Sequence, residues 1–202
     1  MSLPESLISL SLDEPVWERC FGVFPLVLVG TREADGGHDL APKHLAMPLS
    51  WRNWFGFVCT PRHRTYQNAL RSGVFTVSYP RPEQVLITSL AAAPRCGEQQ
   101  QDKPTLQALP VFPATVVDGV LVEGCYLYLE CRLERTLDEL DGNSLLIGRV
   151  VAAHVHVDAL RDEEREDNEL IHDHPLFAYL YPARFAVIDR SQGFPLPAGF
   201  KR

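Results

Sequence analysis

The chain has 202 residues and a formal net charge of −7, with 46% hydrophobic and 22% charged residues. That balance fits one globular domain with a sizeable core, and the acidic total argues against wholesale nucleic-acid binding. With no apolar run long enough to span a membrane, no basic-then-apolar leader, and five cysteines that include no Cys-x-x-Cys pair, a cytoplasmic protein with reduced thiols is expected.

Residues 1–21 read as a lead-in segment that docks through Val16, Trp17 and Phe21, ahead of a main domain over 22–190 and a tail over 191–202. Phe24 to Thr31 reads as the first strand, and Ala34-Asp35-Gly36-Gly37 as a hairpin turn. The chain returns through Asp39-Leu40-Ala41-Pro42 and a loop from Lys43 to Pro48.

From Leu40 to Pro82 there are six fixed positive charges (Lys43, Arg52, Arg62, Arg64, Arg71 and Arg81) and no Asp or Glu. An electropositive island in an acidic chain points to a small anionic ligand. Within it, Trp54 to Cys59 reads as a buried strand that delivers the chain to Thr60-Pro61, an N-cap followed by a first-turn proline. Tyr66, Ala69 and Leu70 recur at helical spacing, and Gly73 is the expected stop. A helix N-terminus with free N–H groups, two arginines and two hydroxyls suits a phosphate monoester. An ordinary capped helix with exposed arginines is the competing explanation.

Val74 to Tyr79 alternates as a strand, Val85 to Ala93 suits a short helix, 94–104 a polar loop, and Pro110 to Ala114 a connection bracketed by prolines. In Cys125 to Glu134, Cys125, Leu127, Leu129, Cys131 and Leu133 share one face, while Tyr126, Tyr128, Glu130, Arg132 and Glu134 share the other. A half-exposed antiparallel strand is predicted there. After an Asp141-Gly142 turn, Ser144 to Val157 is apolar on both faces, which asks for a covering element or a second subunit. Asp158 to Glu169 is an acidic solvated stretch. The sum is a mainly β protein, an antiparallel barrel or sandwich with few short helices.

His154-x-His156 places two imidazoles on one strand face but has no third ligand at a readable spacing, so no metal is expected. The Gly-x-Ser-x-Gly, Walker and Gly-x-Gly-x-x-Gly signatures are absent. Cys59, at the end of the island strand, is near enough to touch a bound ligand.

The order of these elements resembles the flavin reductase-like proteins of the FMN-binding split barrel, an antiparallel Greek-key fold. The resemblance is carried by Pro25 to Thr31, Asp39 to Pro42, Gly56 to Asn68, Phe75 to Ser78, Leu129 to Leu133 and Ile147 to Val151. It implies a homodimer with FMN at each subunit boundary, a small-molecule substrate, and hydride supplied by NADH or NADPH. It puts the phosphate contacts on Thr60, Arg64, Thr65 and Asn68. It lays the stretch Lys43, His44, Leu45, Ala46 and Met47 along the isoalloxazine ring. Lys103 matches a lysine that reaches the flavin from the middle loop, although Ala92-Ala93-Pro94-Arg95 stands where the family often carries Ser-Gly-Arg. Lys43, His44 and Lys103 are the candidate donors to the flavin's N1–C2 edge. The expected activity is that of an NAD(P)H-dependent flavin reductase. The alternatives are a non-catalytic flavin-binding or electron-carrying module, and a barrel that binds another phosphorylated small molecule.

Overall fold

A computed structural model describes residues 4–92, 106, 109–162, 165–197 and 199; Lys103 and the expected 94–104 loop lie outside them. Among the described residues there are twelve strands: β1 Gly22–Pro25, β2 Val27–Arg32, β3 His38–Lys43, β4 Ala46–Pro48, β5 Trp54–Cys59, β6 Val74–Tyr79, β7 Val111–Pro113, β8 Val120–Val122, β9 Leu127–Leu140, β10 Asn143–Val155, β11 Leu176–Tyr181 and β12 Arg184–Ile188. Helices α1 (Arg64–Ser72), α2 (Val85–Leu90) and α3 (Asp167–Asp173) connect them.

Seven strands form one antiparallel sheet in the order β3-β2-β6-β9-β10-β5-β4, and its two flanks approach each other where β3 meets β5. The sheet therefore curls into a half-barrel. Val27, Val29, Phe55, Phe57, Phe75 and Leu146 fill its interior. The close spacing is visible at Gly148, where a Cβ would stand 2.6 Å from the Phe75 ring. Leu28, Leu40, Leu121, Val122 and Tyr128 form a second core on the outer face.

The predicted first strand is two. It breaks at Leu26, so that β1 pairs with β11 in a separate sheet, β1-β11-β12, while β2 pairs with β3 and β6. The hairpin after β2 closes as expected: the Gly37 N–H donates to Asp35 Oδ1 at 2.9 Å, and Gly36 sits at φ 91°.

Four expectations are corrected. The lead-in does not dock through Trp17 and Phe21, which are 64% and 71% exposed; it is tied down by the Tyr181 hydroxyl, which donates to Glu18 at 2.5 Å. The loop from Lys43 to Pro48 contains strand β4, because Ala46 and Met47 pair with Phe57 and Gly56. The connection at 110–114 contains β7, which pairs with β8. Finally, β9 is not half-exposed along its first half: Tyr128 is buried and Glu130 is 0% exposed. The cause is the connection between β7 and β8, whose Thr115, Val116 and Val117 N–H groups all donate to the Glu130 carboxylate.

Candidate functional site

The site begins where β3 runs out at Lys43. The chain turns at His44 and Leu45 and re-enters the sheet as β4, and the Val58 N–H donates to the Leu45 carbonyl at 2.8 Å, holding the turn against β5. From the other side β5 ends at Cys59 and leads through Thr60–His63 into α1. Asn143, at the start of β10, closes the third side. The result is a cleft of about 210 Å³ whose lining includes Lys43, His44, Cys59, Thr60, His63 and Asn143 and no acidic residue. A complete small-molecule site usually takes roughly 300–1,000 Å³, so this cleft suits one end of a larger ligand.

Helix α1 starts three residues later than the sequence predicts. Thr60 is not its N-cap, because the Thr60 carbonyl accepts the His63 N–H at 3.0 Å and closes a separate turn. His63 is the N-cap, with no side-chain capping bond, and its carbonyl accepts from Tyr66 and Gln67. The Arg64 and Thr65 N–H groups consequently have no backbone acceptor among the described residues, and no acid lies in the first turn. Such an end attracts anions. The far end stops as foreseen, with Gly73 at φ 69° donating its N–H to Ala69.

Electrostatics follow from burial. Lys43 Nζ donates to Cys59 Sγ at 3.3 Å. Burial pushes the Cys59 thiol up, with Lys43 and the Tyr66 N–H only partly opposing it, so the thiol stays protonated. Burial, and then the charge of Lys43, lower His44, which is therefore a neutral ring at pH 7. That ring lies among aromatics, with centroids 4.8 Å from Tyr179, 5.7 Å from Phe24 and 5.8 Å from Tyr181.

Of the residues singled out in the sequence, Lys43, His44, Leu45, Cys59 and Thr60 line this cleft. Arg64 is half-buried at the head of α1. Ala46 is buried and Met47 exposed on β4. The side chains of Thr65 and Asn68 turn the other way: the Thr65 hydroxyl donates to Asp39 Oδ2 at 3.0 Å, and Asn68 Nδ2 donates to Thr31 Oγ1 at 3.4 Å, both in buried surroundings. They tie α1 to β2 and β3, so that at Thr65 the backbone N–H is what remains open at the helix start. His63 and Asn143 went unnoticed in the sequence. His63 lies between two arginines of the island and was findable; Asn143 is 80 residues away from it and is brought in by the pairing of β10 with β5, which sets Ser144 opposite Cys59.

A second cavity of about 470 Å³ adjoins the first and shares Pro42 and His44 with it. Its other walls come from Leu26, α2, β11 and β12.

A family profile described as a flavin reductase like domain matches residues 23–180. An uncharacterized protein from Methanothermobacter thermautotrophicus is 27% identical over 148 residues, covering 69% of this chain and 67% of that protein. Among solved structures, nitrilotriacetate monooxygenase component B from Bacillus cereus superposes with a TM-score of 0.77 at 20% identity, covering 96% of this chain and 100% of that one. A split-barrel protein of the flavin reductase kind from Shewanella frigidimarina NCIMB 400 gives a TM-score of 0.73 at 16% identity, covering 87% of each chain. The curled sheet is thus a split barrel.

Proposed function

The chain belongs to the flavin reductase like family of oxidoreductases, and on that premise we propose that it binds FMN and takes hydride from NADH or NADPH. The observation that carries this reading is the acid-free cleft between Lys43 and the uncapped start of α1. Its donors suit the group: Arg64, the Thr60 hydroxyl and the Arg64 and Thr65 N–H groups for the phosphate, and Lys43 for the electron-rich edge of the ring. The stretch from Lys43 to Met47 would lie along the isoalloxazine. FMN would supply the redox chemistry; the protein holds the phosphate, fixes the ring's orientation and offers a positive charge beside it.

Since the cleft takes only one end of a ligand, a second subunit completes the site in this reading. The exposure of Val155 and Val157 (41% and 81%) at the end of β10 supports a homodimer. The domain is drawn as 22–190, and the four described cysteines, all free, suit the cytoplasm.

The test is a visible absorption spectrum after saturation with FMN and removal of the excess, followed by NADH and NADPH oxidation. Retained flavin bands and turnover are expected. Absence of binding in a direct FMN titration overturns the proposal, and binding without turnover identifies an electron-carrying module instead.

A further inference from the structure

We propose that the 470 Å³ cavity beside the cleft binds a planar aromatic carboxylate, the class of small molecule this protein acts on. Its size is that of a complete small-molecule site. Phe177, Tyr179 and Phe185 give it flat walls, Leu26 and Val85 complete the apolar lining, and no acidic residue takes part. The Tyr179 hydroxyl accepts the Ala183 N–H at 2.9 Å, which fixes that ring as a wall. Ala183 itself sits at φ 53°, a conformation that costs a non-glycine residue energy and that is enriched where function needs it.

Two polar groups in this apolar setting have no protein partner to explain them. Thr88 is 3% exposed, lines the cavity, and its Oγ1 has no hydrogen-bond partner among the described residues. A buried hydroxyl is normally satisfied, so an empty one in a cavity wall marks a place for a ligand atom. Arg184 also lines the cavity and forms no ion pair among the described residues. His44, held neutral, adds no competing charge. One cation, one unused hydroxyl and three aromatic side chains describe the complement of a flat ring bearing a single carboxylate. Because His44 and Pro42 belong to both cavities, such a ring would lie next to whatever occupies the cleft. Its role as substrate rests on the flavin reading above; its binding does not.

The test uses the full chain, flavin-free and FMN-saturated, titrated with fluorescent 2-naphthoate and with the neutral 2-naphthamide. The carboxylate should bind at least about tenfold more tightly than the amide, as expected for one charge-assisted pair. Arg184→Gln, at an exposed position, should abolish that preference while leaving amide binding in place. Thr88→Val should weaken naphthoate several-fold without lowering the melting temperature, because the hydroxyl makes no internal bond. Equal affinity for the two probes, or a preference that survives Arg184→Gln, overturns the proposal. So does displacement of naphthoate by FMN, which would put the probe in the cleft. If FMN fails to bind while naphthoate still does, the flavin reading falls and the cavity assignment stands.

Discussion

Two buried polar clusters occupy opposite faces of the curled sheet, and they differ in how completely they are satisfied. On the outer face Glu130 accepts from the N–H groups of Thr115, Val116 and Val117, the Thr115 hydroxyl and His154 Nε2, at 2.6–3.2 Å. Burial alone would raise its pKa, but these donors overcome it and bring the carboxyl down to about 2. On the inner face the Lys43–Cys59 pair stands beside a helix end whose first N–H groups remain open. A closed polar network fixes the backbone and serves as scaffold; an open one keeps donors in reserve for a ligand. Backbone N–H groups are thus consumed by structure in one place and left open in the other.

The comparison is broken most directly at Glu130. Glu130→Ala strands three loop N–H groups and should cost about 3–5 kcal/mol in a denaturant melt. A loss below 1 kcal/mol would mean that the network is ornamental. The same carboxyl predicts an acid limit. Its pKa falls from an ordinary 4.5 to about 2 on folding, so it contributes about 3 kcal/mol at neutral pH. That contribution is fully present above pH 4.5 and disappears as the pH drops towards 2. A stability profile of the wild type should show this slope, and Glu130→Gln should flatten it.

At the open cluster, Arg64→Ala should weaken FMN by about 1.5–3 kcal/mol with little change in melting temperature, as read by flavin fluorescence quenching. An unchanged dissociation constant would remove Arg64 from the phosphate site. Thr65→Val sharpens the boundary between the clusters: its hydroxyl belongs to Asp39, so about 1–2 kcal/mol of stability should be lost. FMN affinity should hold, since the proposed phosphate contact at Thr65 is its backbone N–H. The smallest effect is in thiol labelling by iodoacetamide at pH 8. Of the four described thiols, Cys20 is exposed and should react first, whereas burial pushes Cys125 and Cys131 up to about 12 and raises Cys59. Of the three slow thiols, only Cys59 should be slowed further by FMN.

The strands of the barrel were legible because local pattern and tertiary role agree in them. Trp54 to Cys59 and Val74 to Tyr79 are buried, β-rich runs bounded by turn signals, and they are strands β5 and β6. The island around Lys43 and Thr60 was legible from charge alone, since segregated charge survives folding. What failed depended on partners remote in sequence. Glu130 alternates like a surface residue, and nothing local reveals that a connection 13–15 residues upstream will cover it. The bonds of Thr65 to Asp39 and of Asn68 to Thr31 were equally hidden, since the partners lie 26 and 37 residues upstream. The three-residue delay at the start of α1 was hidden as well, because Thr60-Pro61 gives no warning of it. The second cavity was invisible because its walls come from Leu26, α2, β11 and β12, which only the folded chain assembles.

The split at Leu26 has a consequence for how the molecule is made. Because β1 leaves the barrel to pair with β11, the small sheet joins an early segment of the chain to a late one. During synthesis the barrel can begin to assemble from residues that emerge early, but β1 must wait unpaired until everything up to Tyr181 has left the ribosome. The cavity wall of Phe177, Tyr179 and Phe185 therefore forms after the cleft. A nascent chain halted before Leu176 would own the cleft and lack the pocket, so the two cavities are gained in succession.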